Sequence, residues 1–383
     1  MSDPRAALAA ELTAVFAAAV AACDPRSAVV EALGPPPLGR VWLCAAGKAA
    51  AAMADGALAA WGDAIVGGLV VVPDGVAVAP ALARLDVRRA AHPEPDLRSE
   101  AAGRAALALA EAVGPGELLL ALISGGASAL LAVPAPGLDL AGKRQAIGAV
   151  MRAGAPIAAI NAARIARSAI KGGRLAAACR GRVWTLVVSD VPGDDPAVVG
   201  SGPTVGPLAG ARPGDRLAVV AGLGRLREAA AAAATVRGAA VTVAPRELCG
   251  DLAAAAAEVE AAIASLAPGG WWIAGGEWTV ALGPRVGRGG RASELALRLA
   301  RGLTGDVVVL VGASDGVDGT GPDAGAIVDA TTWAAVGDGE RALAAHDSGA
   351  VLAAIGRALT TGPTGTNHAD LVIAARPVPS CGT

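Results

Sequence analysis

Lysine and asparagine are nearly missing from this sequence. In 383 residues lysine stands only at Lys48, Lys143 and Lys171, and asparagine only at Asn161 and Asn367, although Lys and Arg together number 32. Arginine replaces lysine freely where only charge is needed, so a surviving lysine marks a place that wants a compact ammonium on a flexible stem. Histidine is also scarce, with three residues. No Ser/His/Asp or Cys/His triad can be assembled from them, and His92 and His346 read as structural or solvent-facing. Cys23, Cys44, Cys179, Cys249 and Cys381 form no CxxC and no Cys/His pair. That excludes a zinc site and a disulfide framework and leaves buried free thiols. No stretch approaches twenty uninterrupted Leu, Ile, Val or Phe, so no transmembrane helix is expected. The N-terminus has no basic start followed by an apolar block, so no signal peptide is expected and the protein should stay in the cytoplasm. Charge of one sign is not massed either. The net charge is -2, with basic and acidic residues interspersed, which argues against nucleic acid as a partner. Finally, Gly47-Lys48 lacks the earlier glycine of a Walker A loop, and no GxGxxG follows a strand.

What is present is a long apolar chain, 54% hydrophobic, large enough for two domains. An Ala-rich helix is expected over the first thirty or so residues. Apolar runs at 41–45, 65–72, 118–123 and 182–188 read as buried strands, a helix starts at once after Gly47-Lys48, and 99–113 has helical composition. Fully apolar strands alternating with helices imply an α/β domain with a parallel sheet covered on both faces. Ligands then collect beyond the carboxyl ends of the strands. Residues 225–237 and 251–266 read as helices around a short strand at 241–243. After Pro268-Gly269-Gly270 the character changes: strand-like 271–275 and 279–282 flank Gly276-Glu277, a helix is expected over 292–303, and a strand over 307–311. A first domain over 1–266 and a second over 267–383 follow.

The chemistry-bearing strings lie after these strands. Ser124-Gly125-Gly126-Ala127-Ser128 places hydroxyls, backbone N–H groups and a helix start together, the ingredients of an anion cradle. Asp190, with Asp194 and Asp195, brings carboxylates to the end of another strand, a donor set that suits Mg²⁺. Asp315 offers a second acidic loop, whereas Asp318 reads as a turn residue. Arg291 follows glycines at a helix start, where a restrained guanidinium could clamp a carboxylate or phosphate.

Taken in order, these strings resemble the glycerate 2-kinase family. They comprise Gly47-Lys48-Ala49-Ala50 with Met53, His92 to Asp96, residues 123–131, Asn161 to Arg164 and Ser168 with Lys171-Gly172-Gly173. Further on come Ser189 to Asp195 with Ser201-Gly202-Pro203-Thr204, Gly275-Gly276-Glu277, Gly287 to Glu294, Asp315 to Gly325 and Thr361 to Asp370. The resemblance spans most of the chain. It implies a large Rossmann-like, doubly wound N-terminal domain, a smaller α/β C-terminal domain of MOFRL type, and an interdomain cleft that closes on substrate. The implied reaction is ATP-dependent, Mg²⁺-assisted phosphorylation of D-glycerate to 2-phosphoglycerate. The chain departs from the family pattern at Ala292 where an Asn is usual, at Ala127 where a third glycine is usual, at Trp278 where a small residue is usual, and in the loop of Asp315 to Asp329, which places Thr320-Gly321-Pro322-Asp323 differently from the usual Pro-Thr order. Loss of an amide at 292 could remove a hydrogen bond on the order of 1 to 3 kcal/mol.

Phosphoryl transfer asks for positioning and charge neutralisation. Lys48 is therefore assigned to the transferring phosphoryl group, Asp190 to the metal or to the substrate hydroxyl, Asp315 to the metal, and Arg291 to a second positive clamp. Ser124, Gly125, Gly126, Ser128, Asn161, Arg164, Lys171, Glu277, Thr364 and Asn367 are assigned to substrate or nucleotide. The partners implied are D-glycerate and a nucleotide, with no nucleic acid and no membrane, and the resemblance leaves room for a homodimer. Two other readings stay open. A hydroxypyruvate reductase is opposed by the lack of a nicotinamide fingerprint. A non-catalytic sensor of sugar acids or phosphometabolites would bind ligand without turnover.

Overall fold

The computed structural model describes residues 3–210, 212–283 and 286–378. The chain forms two compact units, one of residues 24–222 and one that joins residues 1–23 to residues 223–383.

The unit of residues 24–222 is built on six strands: β1 Val41–Ala46, β2 Ile65–Pro73, β3 Asp86–Ala90, β4 Leu118–Ser124, β5 Arg182–Val188 and β6 Arg216–Ala221. They pair in the order β3-β2-β1-β4-β5-β6, all parallel. Every residue of β4 is buried, as expected of a central strand covered on both faces. The order reverses between β1 and β4, the position at which ligands collect in open parallel sheets. The expected strands 41–45, 65–72, 118–123 and 182–188 are all present. Sequence pattern missed β3, β6 and two helices, Leu140–Arg152 and Ile157–Ala166. Only Leu140 and Lys143 of the first helix are buried, so it shows little of the apolar stripe that marks a core helix.

The other unit carries β7 Ala240–Val243, β8 Gly270–Gly276, β9 Val308–Ala313, β10 Gly325–Asp329, β11 Ala358–Leu359 and β12 Asp370–Ala375, in the order β11-β10-β9-β12-β8-β7. Only β7 and β8 run parallel; the remaining pairs are antiparallel. The helix Pro4–Ala22 belongs here. Its buried stripe, Leu8, Leu12, Val15, Phe16 and Ala19, has helical spacing, and the helix packs on β9, β12 and the helix Leu223–Val236. Phe16 fills the space over Gly312 of β9, where a Cβ would lie 2.7 Å from its Cε2. By length and composition alone this helix is apolar enough to cross a membrane, although alanine rather than Leu, Ile, Val or Phe supplies most of its apolar character.

The expected boundary at 266/267 therefore moves. β7 pairs with β8, so the chain from Leu223 onward already completes the second sheet, and the first helix joins it as well. The single N-terminal helix is in fact two: Asp24 caps a second one, Pro25–Leu33, by accepting the Ser27 N–H at 2.8 Å, with Pro25 in the first turn where its missing N–H costs nothing. The expected strand at 279–282 reduces to a single bridge between Thr279 and Asp251. Cys23, Cys44 and Cys179 are buried, Cys249 is exposed, and Cys381 lies outside the described residues. Burial pushes the Cys44 thiol up to about 12, the behaviour of an inert core cysteine.

Candidate active site

In the unit of residues 24–222, two turns meet at the carboxyl ends of β1 and β4. Lys48 N donates to Gly125 O at 2.8 Å, and Ala49 N donates to Ser124 Oγ at 3.1 Å. Gly47 has φ +131°, and a Cβ there would lie 2.1 Å from Ser124 Oγ, so only glycine allows the approach. Ser124 Oγ thus accepts the Ala49 N–H and ties the two turns together, which leaves its own O–H able to donate. A Cβ on Gly125 would fall 1.8 Å from Asp190 Oδ2, and one on Gly126 would meet His92 Nε2 at 3.1 Å and Lys48 Cγ at 3.3 Å. The bare glycine backbone therefore lets an ammonium, an imidazole and a carboxylate gather on one turn.

His92, read from sequence as structural, is part of this cluster. Burial lowers its pKa, the Lys48 charge lowers it further, and Asp190 pulls the other way, so near pH 7 the ring is held mostly neutral. The signal that could have found it was its place in the string His92 to Asp96. Asp190 lies just past β5, but the neighbouring carboxylates turn away. Asp195 accepts the Ala197 N–H at 2.9 Å, and Asp194 lies against Gly222. Among the described residues no three His, Cys, Asp or Glu side chains gather as a metal cage, which corrects the expected triple-carboxylate cluster. The turn through Gly193 (φ +76°) and Asp194 (φ +49°) separates them.

A cavity of about 600 Å³ opens beside this turn, with His92, Gly126 and Asp190 in its wall, a size suited to small ligands. Much of its remaining polar wall comes from the two helices that sequence missed and from other segments, as Ser128, Lys143, Asn161, Arg164, Lys171 and Ser201, and Glu94, Arg144 and Arg152 line it too. Lys171, 2% exposed, donates to Ser128 O at 2.7 Å and Ser128 Oγ at 2.9 Å. Ser128 Oγ lies 3.2 Å from Ser201 Oγ, which donates to Asn161 Oδ1 at 3.4 Å, and Arg164 Nη1 reaches the same oxygen at 3.3 Å. Four expected residues, Ser128, Asn161, Arg164 and Lys171, thus share one network. Lys143, absent from the expected set, donates to Val133 O at 3.0 Å, and burial brings its ammonium down to about 8.

The other unit has its own cavity of about 490 Å³, with Arg291, Asp315, Asn367 and Asp370 in its wall. Arg291 is not a free clamp. Its Nε donates to Asp370 Oδ2 at 2.5 Å and its Nη2 to Glu277 Oε1 at 2.9 Å. Burial opposes the Arg291 charge, but Asp370 and Glu277 outweigh it and raise its pKa. Glu277 is correspondingly committed to Arg291. Asp315 accepts the Val317 N–H at 3.0 Å, and Thr364 Oγ1 donates to Ser314 O at 2.5 Å, so Thr364 braces the loop that carries Asp315. Asp318 caps the helix Arg291–Ala300 by accepting N–H groups of Gly290, Ala292 and Ser293 at 2.8 to 3.0 Å. His346 is structural: Nε2 accepts the Gly283 N–H at 3.1 Å, which leaves the proton on Nδ1, 3.0 Å from Glu294 Oε1. Two departures from the family pattern meet here. Trp278 is buried with its Nε1 donating to Arg291 O at 3.0 Å, and it shares one apolar cluster with the fully buried Ala292.

Residues 11–236 match the family described as a domain of unknown function, DUF4147, and residues 270–370 match the MOFRL family. A D-glycerate 2-kinase of Thermotoga maritima is 32% identical, over 92% of this chain and 95% of its own. A glycerate 2-kinase of Pyrococcus horikoshii is 30% identical, over 88% and 87%. A relative from Agrobacterium vitis, 38% identical over 94% and 92%, carries the words hydroxypyruvate reductase in its name. The crystal structure of the Thermotoga maritima glycerate kinase superposes with a TM-score of 0.90 at 29% identity, covering 97% of this chain and 99% of that one.

Proposed function

Because the chain belongs to the glycerate 2-kinase family, we propose that it transfers the γ-phosphoryl group of ATP to the 2-hydroxyl of D-glycerate, giving 2-phosphoglycerate and ADP. The observation that carries this reading is the meeting of Lys48, His92 and Asp190 on the Gly125-Gly126 turn, at the carboxyl ends of parallel strands and beside a cavity of small-molecule size. Phosphoryl transfer needs no covalent help from the protein; it needs cations on the moving charge and an oriented acceptor. The Lys48 ammonium, exposed on the turn, supplies the first. Asp190 accepts the proton of the 2-hydroxyl as its oxygen bonds to the γ-phosphorus and the bridge to the β-phosphate breaks, the leaving electron pair remaining on ADP. His92, held mostly neutral, stands ready to share that proton.

Mg²⁺ fits the donor set in a limited way. It is commonly held by one or two carboxylates together with substrate phosphates and water, and Asp190 is a single carboxylate pressed against bare glycine backbone, which leaves the rest of the shell to the nucleotide. When bound, Mg²⁺ supplies charge neutralisation on the phosphates.

ADP release from ATP with D-glycerate, beside L-glycerate, glycerol and no acceptor, tests the reading, together with identification of the phosphorylated carbon. Acceptor-independent ADP release, or none, in folded protein refutes it. The name of the Agrobacterium vitis relative favours a second reading, reduction of hydroxypyruvate, and NADH oxidation with that substrate is its test. No GxGxxG loop is available here to hold the dinucleotide.

A further inference from the structure

Three cations share the inner wall of the cavity beside β4, and none is neutralised by a carboxylate within hydrogen-bonding reach among the described residues. Lys171 and Lys143 are each 2% exposed, far more buried than lysines ordinarily are unless paired. Their ammonium groups rest on backbone carbonyls and the Ser128 hydroxyl. Arg164 reaches only the neutral Asn161. Lys171 is lowered well below its ordinary value by burial first and then by Lys143 and Arg164, both of its own sign. Glu100 is the carboxylate felt at Lys143, and it is engaged by Arg104 at 2.6 Å. Holding like charges together out of water with no carboxylate in hydrogen-bonding reach is costly, and an anion entering from the cavity would relieve that cost.

We propose that Lys171, with Ser128, Arg164 and Asn161, is the receptor for the carboxylate of the hydroxy acid and the determinant of its preference for acids over neutral alcohols. This rests on the kinase reading. The geometry favours the acceptor over the nucleotide. Ser128 stands two residues beyond Gly126, the glycine on which Lys48 and His92 pack, so a molecule with its carboxylate on Ser128 and Lys171 and its hydroxyl at the turn must be short. Lys171 is enclosed, and its Nζ is held by donations to Ser128 O, Ser128 Oγ and, at 3.5 Å, Gly200 O, a fixed positive charge that suits one small anion rather than a chain of phosphates.

The experiment is steady-state kinetics of Lys171→Met and Arg164→Gln against the wild type, with D-glycerate, glycerol and ATP each varied, and with calorimetric titration of D-glycerate into all three proteins. The expected result is a KM for D-glycerate raised at least tenfold, a KM for ATP within twofold of wild type, and a collapse of the preference for glycerate over glycerol. A rise in KM for ATP with an unchanged KM for D-glycerate overturns the proposal and gives the wall to phosphate. If the wild type does not phosphorylate glycerate, titration still decides: glycerate binding that the variants lose sustains the receptor while the kinase reading falls, and equal binding in all three, or none, overturns the receptor. Should Lys171→Met fail to fold, Arg164→Gln, on a half-buried side chain, carries the same readouts.

Discussion

Replacing Gly125 by alanine tests the candidate site without removing any group that does chemistry. The added Cβ would lie 1.8 Å from Asp190 Oδ2 and 2.1 Å from its Cγ. Carbon atoms in ordinary contact stand about 3.5 Å apart, so the carboxylate must withdraw by about 1.5 Å. Gly125 is not among the glycines of positive φ, so the backbone accepts alanine, and the clash falls on the end of a partly buried side chain. The stability cost should stay near the lower end of the roughly 1–3 kcal/mol seen for overpacking, a shift of a few degrees in Tm for a chain of this size. Misplacing a reacting group by about 1 Å costs on the order of 100-fold in rate, or about 2.7 kcal/mol of barrier. ADP release gives kcat and KM, and a thermal melt gives stability. The expected outcome is a kcat lower by roughly two orders of magnitude with Tm within a few degrees of wild type. A kcat within threefold of wild type, with Asp190 seen displaced in a crystal structure of the variant, removes Asp190 from the reacting centre.

Lys48→Ala should lower turnover by about three orders of magnitude with little change in Tm, since the side chain is exposed; near-normal turnover refutes its role. Asp318→Ala strips three N–H groups of their acceptor and should cost about 3 kcal/mol or more in urea unfolding, with Asp318→Asn losing less; an unchanged midpoint refutes the capping role. Lys143 titrates at about 8 when folded against 10.5 unfolded, so between those values the unfolded state binds more protons and stability rises with pH. The cost of burying the ammonium is fully present below pH 8. Lys143→Met should remove that rise, on the order of 3 kcal/mol, because Val133 O keeps the Ser168 Oγ and Ala169 N donors; an identical pH profile in the variant counts against it.

Motif strings located half of the candidate site. Lys48, Gly125, Gly126 and Asp190 were legible because each follows an apolar strand, and a parallel sheet gathers the carboxyl ends of its strands in one place. Ser128, Asn161, Arg164 and Lys171 were legible as residue types, but their shared network depends on helices that show too little apolar periodicity to be read. His92 escaped because a lone histidine in a Pro-rich loop has no periodic signal. Ser124, Thr364, Arg291 and Glu277, polar residues in ligand-like strings, have protein partners in Ala49, Ser314, Asp370 and each other that the sequence did not reveal. Hydrogen-bond satisfaction is a property of three-dimensional neighbours, and it decides whether a polar group is available to a ligand.

By itself the chain determined what is local. Apolar runs of strand length, glycines at tight approaches and Asp caps at helix starts are short-range consequences of sterics and hydrogen bonding. It also carried the family through its ordered strings. Only the tertiary structure decided which unit owns the N-terminal helix, how the second sheet mixes parallel and antiparallel pairs, and that Lys143, Arg164 and Lys171 face one cavity. An apolar stripe or a buried charge names the kind of partner it needs, but hydrophobic burial is non-directional, and the choice among partners distant in sequence is made when the whole chain packs.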